Sequence, residues 1–198
     1  MSNYQNLPEL FFSKAKENLN NQHLLKINNS TNEIDSWTWS NTYSLVNKIY
    51  QFINSQNLKK DERILLVSEN RPEWMAADIA IMSNQLIAVP NYITYTSRDF
   101  EHILNDSKPK GLIVSNKDLL DTVLIASKKI KFELQFIICF DQFANTSIPN
   151  LKFYNDLIED PSIKPDKYHS IQRKDPASII YTSGTQGLPK GVILSHGG

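Results

Sequence analysis

Residues 63–90 read RILLVSENRPEWMAADIAIMSNQLIAVP, and the change of pattern inside this stretch decides the fold class. Ile64 to Val67 is a continuous apolar run behind the charged Lys59 to Arg63, as a strand buried on both faces of a parallel sheet requires. Pro72 falls where a helix tolerates a missing N–H donor, and Trp74 to Met82 is apolar nearly all round, so the helix that follows is covered on several sides. Leu86 to Val89, closed by Pro90, is a second strand. Strand, helix and strand in this order form a crossover unit whose strands lie parallel.

The alternation continues outward. Downstream, Thr96 or Ser97 caps a short helix carrying Phe100, Ile103 and Leu104; Leu112 to Val114 reads as a strand, Leu119 to Ala126 as a helix, and Leu134 to Phe140 as a strand. Upstream, Leu24 to Ile27 and Ile34 to Trp39 read as an antiparallel ribbon split by the turn-forming Asn28 to Asn32. Ser40 then suits a helix cap, ahead of Leu45, Val46, Ile49, Tyr50, Phe52 and Ile53 at spacings of three and four. The fold class is α/β, a mostly parallel sheet flanked by helices. Asp141 to Asp175 is polar and holds Pro149, Pro161 and Pro165, which predicts a connection over the surface and no domain boundary. Ala177 to Tyr181 and Val192 to Leu194 are two further strands.

Composition narrows the function classes. Of 198 residues, 21 are Lys or Arg and 21 Asp or Glu, so no global basic field exists to hold nucleic acid or an anionic membrane, although a local patch for peripheral membrane contact stays open. The single cysteine, Cys139, excludes an internal disulfide and a CxxC site and is read as a small core residue, which points to a reducing compartment, the cytosol. The start shows no basic segment followed by an apolar run, and the longest apolar stretches fall short of the roughly 20 residues of a membrane span. A soluble protein without a transmembrane segment is expected. His23, His102 and His169 lack metal-ligand spacing, and His196 either faces the chemistry or simply ends a strand.

Between the last two strands runs Tyr181-Thr182-Ser183-Gly184-Thr185-Gln186-Gly187-Leu188-Pro189-Lys190-Gly191. Gly184, Gly187 and Gly191 permit positive φ and close backbone approach, so that N–H groups converge on phosphate oxygens. Thr182, Ser183, Thr185 and Gln186 add side-chain donors, and Lys190 adds formal positive charge. A Walker-type loop would run into a helix after a Gly-Lys pair, whereas Pro189 precedes Lys190 here and a strand follows.

The spacing of YTSGTQGLPKGVILSH instead resembles the phosphate-binding loop of the adenylate-forming superfamily. Trp37-Thr38-Trp39, Glu69-Asn70-Arg71-Pro72-Glu73-Trp74, Ile87-Ala88-Val89-Pro90, Leu104-Asn105-Asp106-Ser107 and Ile113-Val114 resemble its long-chain fatty acyl-CoA synthetase branch in register, so the likeness covers nearly the whole chain. It implies ATP-dependent conversion of a fatty acid carboxylate to an acyl-adenylate and then to a coenzyme A thioester. It also implies that Thr182, Ser183, Gly184, Thr185, Gln186, Gly187 and Lys190 hold the ATP phosphates, with Thr185 near Mg2+. Gln186 stands where the family pattern has threonine, and Gln85 where it has glycine. The family's later motifs, for adenine, ribose and the acidic magnesium ligand, lie downstream of the matching region. Residues 1–198 are therefore expected to be the amino-terminal portion of such a domain, with no activity alone. A noncatalytic nucleotide-binding module and an inactive remnant are the alternatives. Acyl chain length and oligomeric state are not encoded in these residues.

Overall fold

The computed structural model describes residues 4–27, 32–131, 133–144, 147–182 and 188–198. The chain opens with helix α1 (Leu7–Glu17), the ribbon β1 (Gln22–Ile27) and β2 (Ile34–Thr38), and helix α2 (Trp39–Ser55). Strands and helices then alternate: β3 (Arg63–Val67), α3 (Pro72–Ser83), β4 (Ile87–Asn91), α4 (Ser97–Ser107), β5 (Gly111–Val114), α5 (Lys117–Ser127) and β6 (Phe136–Cys139). β7 (Leu151–Phe153), β8 (Pro176–Thr182) and β9 (Lys190–Ser195) complete the order. The main sheet runs β7-β6-β5-β3-β4-β8-β9, parallel throughout except for the antiparallel pair β8 and β9. The expected α/β architecture is observed.

The period of two in the strands separates two cores. Ile64 and Leu66 of β3 face α1, α2 and α3, packing with Val46, Tyr50, Ala77 and Ile81. Leu65 and Val67 face α4 and α5, packing with Phe100, Leu104, Leu120 and Val123. All four β3 residues are fully buried, which is why the run is apolar without alternation.

Several expectations need correction. α1 adds a helix to those read from the sequence: Pro8, Phe11, Phe12 and Ala15 fall on one helical face and Asn6 caps it, accepting from the Glu9 N–H at 2.8 Å. The second helix begins at Trp39, capped by Thr38 in a reciprocal box with Asn41, so Ser40 lies inside it and Trp39 leaves the strand. The 141–175 segment is more than a surface connection. It adds β7 to the sheet edge and sinks Leu157, Tyr168 and Ile171 into the core, where Asn6 donates to the Tyr168 and Ile171 carbonyls, both at 3.0 Å. Gln85, which stands where the resembled family has glycine, sits at φ 62°, the left-handed region that favours glycine. Its amide ties that turn to the Lys167 carbonyl at 2.9 Å.

One acidic side chain sits uneasily in this frame. In α3, burial alone pushes the Asp78 carboxyl up to about 6 from its ordinary 3.8. The folded-state value lies above the unfolded one, so the site is comfortable only when protonated: the cost is absent below about pH 4 and complete above the folded value. Asp78→Asn is expected to raise stability by about 1–3 kcal/mol at pH 7 and to leave it unchanged near pH 3.5. Urea midpoints at the two pH values read this difference, and an equal shift at both would refute it.

Candidate functional site

Because β3 to β8 are parallel, the loops after β3, β4, β5 and β6 and the segment after β8 share one edge of the sheet. This carboxyl edge is where doubly wound sheets place their ligands. The hydroxyl- and glycine-rich segment leaves β8 at this edge and returns as β9, with Tyr181 opposite Gly191 and Thr182 opposite Lys190. Ser183, Gly184, Thr185, Gln186 and Gly187 lie outside the described residues. The structure therefore brings together two of the expected phosphate ligands, Thr182 and Lys190, both exposed across the mouth of the loop. Among the described residues, Lys190 forms no ion pair.

Gly191 serves a different purpose from the one its type suggested. Its φ is not in the left-handed region; instead a Cβ there would meet Ile179 Cγ2 at 2.9 Å and the Tyr181 ring at 3.2 Å. The missing side chain makes room for Tyr181, which is 2% exposed. The Tyr181 hydroxyl donates to Asp106 Oδ2 at 2.5 Å, and Tyr95 donates to the Tyr181 carbonyl at 3.3 Å. Burial, followed by the bond to the Asp106 carboxylate, holds the Tyr181 phenol well above its ordinary range. On the other stem, His102 Nε2 lies 2.8 Å from the Pro189 carbonyl. A carbonyl only accepts, so Nε2 carries the hydrogen. The sequence ties neither His102 nor Asp106 to the loop, because their partners are 87 and 75 residues away.

Beside the loop stems, a cleft of about 570 Å³ opens at the ends of β3, β4 and β8, lined by Glu69, Asn70, Trp74, Asn91, Tyr92 and Tyr181 among others. Burial pushes the Glu69 carboxyl up, but hydrogen bonds from Ser115 and Asn116 and the charge of Arg71 outweigh it and hold the group below its ordinary value. Arg71 itself is engaged, with Glu73 and Asp141 each at 2.9 Å. The Glu69 to Trp74 segment thus works mainly as a helix start, as expected, with Trp74 partly buried against the core. Cys139 is a fully buried core residue, its thiol pushed up to about 11 by burial.

His196 lies at the opposite edge of the sheet, where Ser195 pairs with Pro176. It is 6% exposed, its Nδ1 accepts from the Leu7 N–H at 3.4 Å, and burial lowers its pKa. It latches α1 to the end of β9 and does not face the loop. Among the described residues, no helix is long and apolar enough to cross a membrane, and no cluster of three or more His, Cys, Asp or Glu could hold a metal ion.

Comparison with known proteins agrees with this fold. Similar chains include fatty acyl-CoA synthetase A of Dictyostelium discoideum, 28% identical over 76% of this chain and 23% of that protein. Another is long-chain-fatty-acid–CoA ligase ACSBG2 of Mus musculus, 26% identical over 96% of this chain and 29% of that protein. The chain spans less than a third of the length of these curated relatives. Among solved structures, the anthranilate CoA ligase AuaEII in complex with anthranoyl-AMP superposes with a TM-score of 0.83 at 20% identity, covering 100% of this chain and 36% of that one. The luciferase-like enzyme of the mealworm Zophobas morio superposes with a TM-score of 0.81 at 19% identity, covering 100% and 44%. At such identities the superpositions speak for the fold alone. The family model described as AMP-binding enzyme matches residues 11–198, nearly the entire chain and both stems of the loop, and the chain belongs to this family as part of its amino-terminal region.

Proposed function

We propose that the polypeptide carrying this segment is an ATP-dependent fatty acid:CoA ligase, and that residues 181–191 are its ATP phosphate-binding loop. The observation that carries the reading is the pairing of Thr182 with Lys190 at the mouth of that loop, on the carboxyl edge of the sheet. In the proposed reaction a carboxylate oxygen attacks the α-phosphorus of ATP, the α–β bridging bond breaks, and acyl-adenylate and pyrophosphate form. The coenzyme A thiol then displaces AMP to give the thioester.

This chain's residues act on the departing end. The Lys190 ammonium offsets negative charge on the β- and γ-phosphates, and the Thr182 hydroxyl donates beside it; such fixed donors are usually the largest contribution to a charge-developing step. In the same reading Ser183, Gly184, Thr185, Gln186 and Gly187 supply the remaining donors, and the start of β9 holds the Lys190 backbone opposite Thr182. Mg2+, with Thr185 as its proposed protein contact, would neutralise charge across the phosphate oxygens.

ATP–pyrophosphate exchange, measured on the polypeptide in the length its cells make, tests this proposal. Exchange that requires both the protein and a fatty acid is expected. Nucleotide binding with no exchange for any chain length would replace it with a noncatalytic nucleotide-binding module.

A further inference from the structure

Both stems of the loop are tied to one helix. On α4, His102 and Asp106 lie four residues apart, a spacing that places them on one face. Asp106 takes the Tyr181 hydroxyl, one residue before Thr182; His102 takes the Pro189 carbonyl, one residue before Lys190. The two braces meet, since the His102 and Tyr181 rings stand edge-on at 87° with centroids 6.3 Å apart. Tyr181 and Pro189 are both buried, while Thr182 and Lys190 beyond them are exposed.

β9 pairs with β8 from Lys190 to Ser195, and that ladder ends at Lys190 and Thr182. A strand frays first at its ends. Its first residue, Lys190, is the one whose position matters to an anion. A lysine on a four-carbon stem localises its charge only as well as its backbone is fixed.

We propose that His102 and Asp106 are positioning residues of the polyphosphate-binding loop: by holding Pro189 and Tyr181 they set the separation of Lys190 from Thr182 and hence affinity for a polyphosphate. The inference rests on the reading of this loop as a phosphate site and adds the helix that holds it. Neither side chain touches the ligand. His102→Leu and Asp106→Leu remove the donor and the acceptor; His102→Gln keeps an N–H donor, and Asp106→Asn keeps an acceptor oxygen.

In ATP–pyrophosphate exchange on the polypeptide in the length its cells make, each leucine variant is expected to raise KM for ATP about tenfold or more. KM for the fatty acid should stay put, and the glutamine and asparagine variants should return to within about threefold of wild type. A leucine variant that melts earlier but keeps its KM for ATP, or a glutamine variant no better than leucine, would overturn the brace. Should the wild type show no exchange, the proposed reaction fails, and the same proteins are titrated with tripolyphosphate. Weaker binding by the leucine variants then upholds the brace, equal binding by all overturns it, and no binding by the wild type overturns the phosphate site and the brace together.

Discussion

Gly111→Ala is expected to destabilise the chain by about 3 kcal/mol. Gly111 starts β5 and pairs in register with Phe136 on β6. A Cβ at Gly111 would sit 2.2, 2.5 and 2.7 Å from three atoms of the Phe136 ring, all closer than real contacts allow. The ring has nowhere to go: Phe136 is 2% exposed and stands edge-on to Phe52, with centroids 5.4 Å apart. Overpacking a dense core costs about 1–3 kcal/mol and occasionally more, and a clash with three ring atoms in a central sheet belongs at the top of that range. Against a domain stability of about 5–15 kcal/mol, the loss is severe. Urea unfolding followed by circular dichroism reads it. Combining Gly111→Ala with Phe136→Leu should cost less than the sum of the two, because the smaller side chain relieves the clash. An unchanged midpoint for Gly111→Ala would refute the packing account. The result would also explain an oddity of composition, since Gly111 is the one glycine outside the last fifteen residues.

How much of this was legible in the chain follows from what each residue answers to. Ile64 to Val67 and Leu112 to Val114 declared themselves as strands because burial on both faces leaves room for nothing polar, whereas the strand read over Leu134 to Phe140 is shorter in the structure, Phe136–Cys139. Which helix covers which face was not legible, since the same run serves two cores. β7 is three residues long, Leu151–Phe153, and its register with β6 comes from the sheet rather than from its own pattern. α1 was legible in principle from Asn6, Pro8 and the spacing of Phe11, Phe12 and Ala15. The loop was legible because close backbone approach and a cation demand particular residue types at fixed spacing. Its supports were not: nothing local ties His102 or Asp106 to the loop, although Asp106 lies in a segment that carries the family resemblance, and the link shows only in their bonds to Pro189 and Tyr181. His196 could have faced either way, and only the antiparallel return of β9 puts it at the far edge against Leu7.

Lys190→Met is expected to lower the kcat/KM of ATP–pyrophosphate exchange about a hundred- to a thousandfold, the loss typical of removing a preorganised group at a developing charge. The substitution keeps the length of the stem and deletes only the ammonium. The neighbourhood offers little replacement for it. Arg71 is held by Glu73 and Asp141, and Glu69, kept ionised beside the cleft, adds charge of the wrong sign. The arithmetic of binding agrees. Three or four charge-assisted hydrogen bonds at about 1.5–3 kcal/mol each sum to roughly 5–12 kcal/mol, which at most offsets the roughly 4–15 kcal/mol cost of association, so losing the strongest of them leaves almost nothing. Stability supplies the control: Lys190 is exposed and unpaired among the described residues, so melting should change by no more than about 0.5 kcal/mol of stability. Lys190→Arg keeps the charge but replaces a compact ammonium with a planar fork, and is expected to recover only part of the rate. Exchange at the wild-type level in Lys190→Met would remove this residue, and with it the assignment of the loop, from the chemistry. Activity lost in Lys190→Met with melting unchanged is the outcome that separates charge on the departing pyrophosphate from support of the β9 strand.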